Sequence, residues 1–378
     1  MDFSKIHSPA FILEEDKLRR NLSIIADVQK RAEVRIILAF KAFSMWSVFP
    51  IVKEYISGAT ASSLFEARLC FEEMGTKAHT YAPAYFPNEF DQLMELSSHI
   101  TFNSIAQYER FQKQLSLSYH PISAGIRVNP EYSEVETDLY NPCAPGSRLG
   151  EVIDNFKGRL PKGIEGLHFH NLCESNSYAL EKTLASFEER FGDFLPQLKW
   201  INMGGGHLMT QKDYDIEHLI QVLQSFRKRH PNIKVILEPG SAFAWQTGVL
   251  YTTVMDIISN NGIQTAIIDA SFTAHMPDTL EMPYRPTIRG AKDNDQGEHL
   301  YRIGGVSCLA GDFMEVYAFD QVLKVGDSII FEDMIHYTMV KTTMFNGVKH
   351  PSIAIWTKER EMRVIREFGY LDFKRRLS

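Results

Sequence analysis

Cysteine is scarce in this chain, four in 378 residues, and Cys70, Cys143, Cys173 and Cys308 form no Cys-x-x-Cys pair. That excludes a disulfide framework and a zinc ribbon, and each thiol has to be read from its own surroundings. Positive charge is not in excess either. The balance of 40 Lys and Arg against 47 Asp and Glu leaves a net charge of −7, which argues against nucleic acid as a partner and is compatible with a cationic small molecule. No apolar run approaches the length that spans a bilayer, and Met1-Asp-Phe-Ser-Lys-Ile-His-Ser-Pro9 has an early acid and no apolar leader. A soluble, cytoplasmic protein without membrane contact is expected. The first βα turn lacks Gly-x-Gly-x-x-Gly, and neither a repeat nor a low-complexity tract is visible. At 44% apolar and 12% aromatic, the composition is that of a globular chain long enough for two cores.

What the chain does have is a short apolar run, Arg35-Ile-Ile-Leu-Ala-Phe-Lys-Ala42, that delivers one lysine. Strand alternation sets Ile37, Ala39 and Lys41 on one face. Lys41 then reads either as a snorkelling end residue or as an amine in a partly desolvated pocket. A rhythm follows. Strand runs at 35–42, Ala59–Ser62, Ala78–Ala82, His99–Asn103, Ser123–Asn129, Gly163–Asn171, Lys199–Met203 and Lys234–Glu238 make eight, with amphipathic stretches such as Ile105–Leu115, Tyr178–Phe194 and Ile216–Arg229 between most of them. Eight alternations predict an α/β fold, a (β/α)8 TIM-like barrel over residues 14–240. After residue 240 come Thr247–Ile258, Gly262–Asp269, Tyr301–Val306, Met314–Phe319 and Asp327–Phe331 without long helical patterns. They predict a C-terminal all-β domain, a β-barrel or sandwich, made of 241–378 with the first strand in 1–13. The end, Thr357–Ser378, reads as a solvated helix and tail.

A barrel gathers its chemistry at the carboxyl ends of its strands. Here those ends carry Lys41, Ser62-Ser63, His168-Phe-His170, Gly204-Gly-Gly206 and Glu238-Pro-Gly240. The glycines can close backbone amides on an anion or simply make a tight turn. Two imidazoles at i and i+2 on one strand face suit a metal, a ring laid on a planar cofactor, or satisfied core histidines; neighbouring ends offer glycines rather than further ligands, so no metal is expected. Glu238 needs a cationic partner, either a barrel arginine such as Arg127 or the pyridinium nitrogen of a cofactor. Farther on, Cys308 lies among small residues in Gly304-Gly-Val-Ser-Cys-Leu-Ala-Gly-Asp312, which suits close approach by a ligand or partner chain. Tyr337, after Phe331-Glu-Asp-Met-Ile-His336, is core packing or a hydroxyl donor.

In order along the chain, the strand-end lysine, Arg127-Val-Asn-Pro130, the strand-end histidine, the triple glycine, Glu-Pro-Gly, the glycine-flanked cysteine and the tyrosine resemble the fold-type III pyridoxal-phosphate decarboxylases, the alanine-racemase-like family of the ornithine and diaminopimelate enzymes. Ala39-Phe-Lys-Ala-Phe43, His168-Phe-His-Asn171, His275-Met-Pro-Asp278, Glu281-Met-Pro-Tyr284 and Ser307-Cys-Leu-Ala-Gly-Asp312 are similar to the branch acting on carboxynorspermidine and carboxyspermidine. The resemblance implies covalent attachment of pyridoxal 5'-phosphate at Lys41, His170 stacked on its ring, phosphate held by Gly205, Gly206 and Tyr337, and Glu238 at the ring nitrogen. It also implies a homodimer with shared active sites, in which Cys308 arrives from the second subunit as the acid that protonates Cα. The substrate would be a cationic carboxypolyamine. Ornithine decarboxylases carry an arginine where this chain has Ser241 and an acid where it has Leu309. Asp278, Asp312 and Arg148 are therefore candidates for substrate binding, with Glu238 beside them. Rival readings are a decarboxylase or racemase of another basic amino acid, a non-catalytic cofactor-binding protein and a metal-dependent hydrolase.

Overall fold

Ile37 interrupts the first barrel strand. In the computed structural model, which describes residues 1–135, 138–293 and 296–378, the run forms Arg35–Ile36 and Leu38–Ala39. The first piece pairs in parallel with Lys234–Leu237 and the second with Ala59–Ala61. One run thus touches both the last strand and the second, which closes the sheet. Between them lie Ala78–Tyr81, Ser97–Phe102, Ser123–Arg127, Ile164–His168 and Trp200–Asn202, each parallel to its neighbours. This is the predicted barrel, written in nine segments because the first strand is split. The expectation that Lys41 continues that strand is not met. The strand stops at Ala39, and Phe40–Ala42 is a turn in which the Ala42 and Phe43 amides donate to the Ala39 carbonyl.

The helices start where short polar side chains can accept a free amide. Ser63, Ser104, Asn176 and Asp215 cap Leu64–Leu69, Ile105–Ser116, Ser177–Phe191 and Ile216–Arg229 by accepting from the third residue beyond, each cap contributing about 1 kcal/mol. Inside the barrel, below the strand ends, the Trp200 indole fills the space that Gly125 and Gly166 leave: a Cβ at either would lie 2.3 or 2.1 Å from it. Trp200 Nε1 donates to Ser123 Oγ (2.8 Å), and its ring meets His99 edge-on, which stacks on His79 at 3.8 Å. The barrel is a packed core rather than a tube.

The chain divides into two compact units, Asn21–Phe243 and Met1–Arg20 with Ala244–Ser378. The second is built on an eight-stranded mixed sheet. Its centre is the long strand Gly248–Asn260, antiparallel to Ala10–Glu14, Ile263–Ile268 and Ser328–Glu332. His299–Gly304 and Phe313–Phe319 extend one side. Ser352–Trp356 and Met362–Arg366 extend the other. These last two were not predicted, and the second replaces part of the supposed tail. Met362–Arg366 is an edge strand that carries two arginines and no buried residue, a stretch that reads as solvated until its neighbour is known. Among the described residues no helix is long and apolar enough to cross a membrane.

Candidate active site

Lys41 stands on the turn after Leu38–Ala39, exposed at the barrel mouth, its Nζ 3.3 Å from His170 Nε2. Crowding by protein atoms lowers its pKa from the ordinary lysine value; Glu238 pulls the other way and Arg127 adds to the lowering. A neutral amine is a nucleophile. The turn is held by close packing with Glu238-Pro-Gly240: Ala39 N donates to the Pro239 carbonyl (3.1 Å), and a Cβ on Gly240 would lie 2.3 Å from that of Ala42. The small residues around Lys41 serve this contact.

Glu238, 3% exposed, follows the strand Lys234–Leu237 and is the electrostatic centre. Its Oε2 accepts from Asn202 Nδ2 (2.8 Å) and from Thr60 Oγ1. Its Oε1 lies 3.1 Å from His168 Nε2 and 3.5 Å from His170 Nδ1. Burial alone would raise the pKa of the carboxylate, but the two histidines outweigh it and hold it well below the usual range. Burial also keeps the histidines neutral, His170 at about 3 with Lys41 contributing, and His168 below its ordinary value. The predicted alternative of a Glu238–Arg127 pair is not what forms: Arg127 Nη2 donates to the His170 carbonyl (2.9 Å) while its guanidinium covers the Tyr81 ring at 4.8 Å. His168 closes its strand, His170 lies past it, and their rings, 6.2 Å apart, both turn towards Glu238.

The triple glycine passes this cluster closely. A Cβ on Gly205 would sit 2.6 Å from the Glu238 carbonyl, and one on Gly206, at φ +85°, 2.2 Å from that of Leu172. Only glycine fits either position. Gly205 N donates to His170 Nδ1 (3.1 Å), and Gly204 N to Asn202 Oδ1 (2.8 Å). Arg148 is on a loop joined to the strand ends through Asn103, whose Nδ2 donates to the Arg148 carbonyl and whose Oδ1 accepts from Tyr81 Oη and Gly150 N.

The remaining candidates belong to the sheet unit. Asp278, 8% exposed, accepts on Oδ2 from Tyr284 Oη (2.9 Å) and Thr338 Oγ1 (2.7 Å), while its buried Oδ1 has no partner. Tyr337 opens the short helix Tyr337–Val340 next to Thr338. Cys308 is an exposed free thiol whose amide donates to Asn346 Oδ1 (2.8 Å). Asp312 anchors that loop: Oδ1 accepts from Thr273 N (3.1 Å) and Oδ2 from Ser307 N (3.0 Å).

A barrel whose strand ends collect a reactive amine, a buried anionic carboxylate, neutral imidazoles and a glycine cradle, with a mixed sheet beside it in sequence, defines a class of cofactor-dependent enzymes. The model of the pyridoxal-dependent decarboxylases (C-terminal sheet domain) matches residues 97–335. The chain is 53% identical over 375 residues, 99% of its own length and 96% of the relative's, to carboxyaminopropylagmatine decarboxylase of a Synechocystis species. It is 44% identical, over the whole of both chains, to carboxynorspermidine/carboxyspermidine decarboxylase of Campylobacter jejuni. A crystal structure of carboxynorspermidine decarboxylase from C. jejuni, complexed with norspermidine, superposes with a TM-score of 0.91 at 43% identity, covering 98% of this chain and 100% of that one. Diaminopimelate decarboxylase of Helicobacter pylori shares the fold, with a TM-score of 0.84 at 17% identity and coverage of 99% and 98%. The chain belongs to the pyridoxal-dependent decarboxylases.

The residues present fit that cofactor. The glycine cradle leaves room that any side chain would fill, Lys41 offers an amine of lowered pKa, and Glu238 offers a buried negative charge to a protonated ring nitrogen. A metal suits them less. His168, His170 and Glu238 do bring donor atoms within 4.8 Å of one another, but the His170 Nδ1 lone pair is taken by the Gly205 amide. Thr60 and Asn202 escaped the sequence reading. The available signal was a polar side chain at the inward end of a run that is otherwise apolar, Ala59-Thr-Ala61 and Trp200-Ile-Asn202.

Proposed function

We propose that the chain decarboxylates carboxynorspermidine and carboxyspermidine to norspermidine and spermidine, in polyamine biosynthesis, as a cytoplasmic homodimer with shared active sites. The observation that carries the substrate class is Asp278. A buried carboxylate with two hydroxyl donors on one oxygen and nothing on the other is a receptor for an ammonium group. Arg148, Asp312 and Glu238 are further substrate contacts in this reading.

When bound, pyridoxal phosphate supplies the electron sink for the pair released as the carboxylate leaves. The chain's own groups do the rest. Lys41 would hold the cofactor through its side-chain amine. Glu238 would keep a proton at the ring nitrogen, His170 would lie against the ring, and Gly205, Gly206 and Tyr337 would hold the phosphate. Cys308 gives Cα its proton, each subunit lending its loop to the other. Exposed Phe65 and Phe86, after the strands Ala59–Ala61 and Ala78–Tyr81, support a covered face at the barrel mouth. Free thiols at Cys70, Cys143, Cys173 and Cys308 support a reducing compartment.

A second reading rests on the 53% identity to the Synechocystis enzyme: carboxyaminopropylagmatine, which bears the same carboxyaminopropyl group on a chain ending in a guanidinium. Mass spectrometry of products from the three substrates, with diaminopimelate as control, separates the readings. Turnover of either carboxypolyamine at least tenfold faster than of the guanidine substrate supports the first, and the reverse order replaces it with the second.

A further inference from the structure

His168 has no part in the chemistry above, yet it is 1% exposed and aimed at the central carboxylate. Consider the four groups around Glu238. Thr60 and Asn202 both serve Oε2. Two imidazoles face Oε1, but His170 Nδ1 accepts the Gly205 N–H at 3.1 Å and so carries no proton on that side. That leaves His168 Nε2, 3.1 Å away, as the imidazole nitrogen that can carry a proton next to Oε1. The 3.1 Å approach is not a well-formed hydrogen bond, Nε2 having no hydrogen-bond partner, so its strength comes from charge–dipole attraction in a dry site. The other ring nitrogen, Nδ1, is buried without a partner, which leaves the ring a single polar task. Its orientation is fixed by Tyr81, edge-on at 5.4 Å and 86°, itself covered by Arg127.

We infer that His168 is a positioning residue: its Nε2–H keeps Glu238 ionised and aimed, and through Glu238 it keeps the proton on the cofactor's ring nitrogen. The inference rests on the reading of Glu238 as the ring nitrogen's partner. Without the imidazole, one oxygen of a buried carboxylate loses its donor and the proton on the ring nitrogen loses its counter-charge. The other ionisable groups facing the pair are Lys41, Arg127, Tyr81, His170, His79 and His207, and each stays in place when only His168 is changed.

The first test uses the cofactor-free protein. Nitrogen-15 NMR of the histidine rings, with His168 assigned by its loss in H168F, should find a neutral Nε2–H tautomer; an Nδ1–H tautomer or a doubly protonated ring overturns the inference. The second uses the loaded protein. H168F is expected to weaken cofactor binding about tenfold or more and to give the bound cofactor's visible band a pH transition between roughly pH 6 and 9, with the parent band flat there and H168Q, which restores an N–H, close to the parent. An H168F protein with the parent's affinity and a flat band overturns the inference, as does equal loss in H168F and H168Q with lowered thermal midpoints. E238Q separates the two levels. If its band matches the parent while His168 is Nε2–H, the Glu238 reading is what failed; if E238Q changes the band and H168F does not, the failure is this inference.

Discussion

In the barrel unit the central carboxylate has neighbours on both oxygens, Thr60 and Asn202 on one and His168 and His170 on the other, and a Lys41 turn locked against Pro239 and Gly240. In the sheet unit Asp278 has one oxygen twice bonded and the other bare, and Cys308 stands exposed on a loop whose amides donate to Asn346 and Asp312. On the proposed reading, most groups that would meet the cofactor are already partnered within the barrel unit. Groups left open need something further, a substrate ammonium or a second copy of the chain. The contrast predicts that cofactor binding and substrate turnover can be separated by mutation.

The largest test removes the barrel's amine. Lys41→Ala is expected to cut turnover by about 10⁴-fold or more and to remove the visible absorbance of the bound cofactor, measured by steady-state CO2 release and by spectrum; an active, coloured K41A protein would break the contrast at its root. Next, Cys308→Ala should lower kcat by about 10²- to 10³-fold while the cofactor titrates as in the parent. Mixed with K41A, it should recover about a quarter of parent activity, the statistical share of intact sites in a shared-site dimer; no recovery removes the sharing. A smaller effect is expected at Asp278. Asp278→Asn should raise KM by about 10- to 100-fold with a lesser change in kcat, and an unchanged KM would take Asp278 out of substrate recognition.

The smallest effect is on stability. His170 at about 3 and His99 and His207 at about 4 lie below the ordinary histidine value of 6.5. Between those values the unfolded chain binds more protons than the folded one, so stability is full above about pH 6.5 and falls as pH drops towards 3 to 4. Glu238, also depressed, adds a loss only below the ordinary carboxylate range. The sheet unit holds His275, at about 3, and His350, also lowered. Acid should therefore loosen the barrel first, which urea midpoints from pH 7 to 4 can show with Trp46 and Trp200 reporting on the barrel and Trp245 and Trp356 on the sheet. Simultaneous transitions would make the two units one cooperative block.

Much of this was legible in the sequence because barrels announce themselves by rhythm. Eight strand runs at regular spacing needed no knowledge of contacts, and the barrel's alternating pattern survives even the break at Ile37. The edge strand Met362–Arg366 was not legible because a strand with one unpaired, solvated side carries a weak signal, and Ser352–Trp356, only five residues long, offers too short an apolar run to mark a strand without its partners. At the site, residue types were readable and partners were not. Glu238 needed counterparts on chemical grounds, but alternation cannot tell that Arg127 turns to a backbone carbonyl and leaves Glu238 to His168, His170, Thr60 and Asn202. Likewise Lys41 was readable as the end of an apolar run, while the turn that carries it depends on Gly240, some 200 residues away.

The plug beneath the site has its own consequence. The Trp200 indole seated over Gly125 and Gly166, with the His79–His99 stack beside it, fills the barrel interior beneath the strand ends and makes their outer side the face where substrate is handled. A filled floor also holds the strand ends that carry the reacting groups in fixed register, so a change at Trp200 should be felt at the site above it.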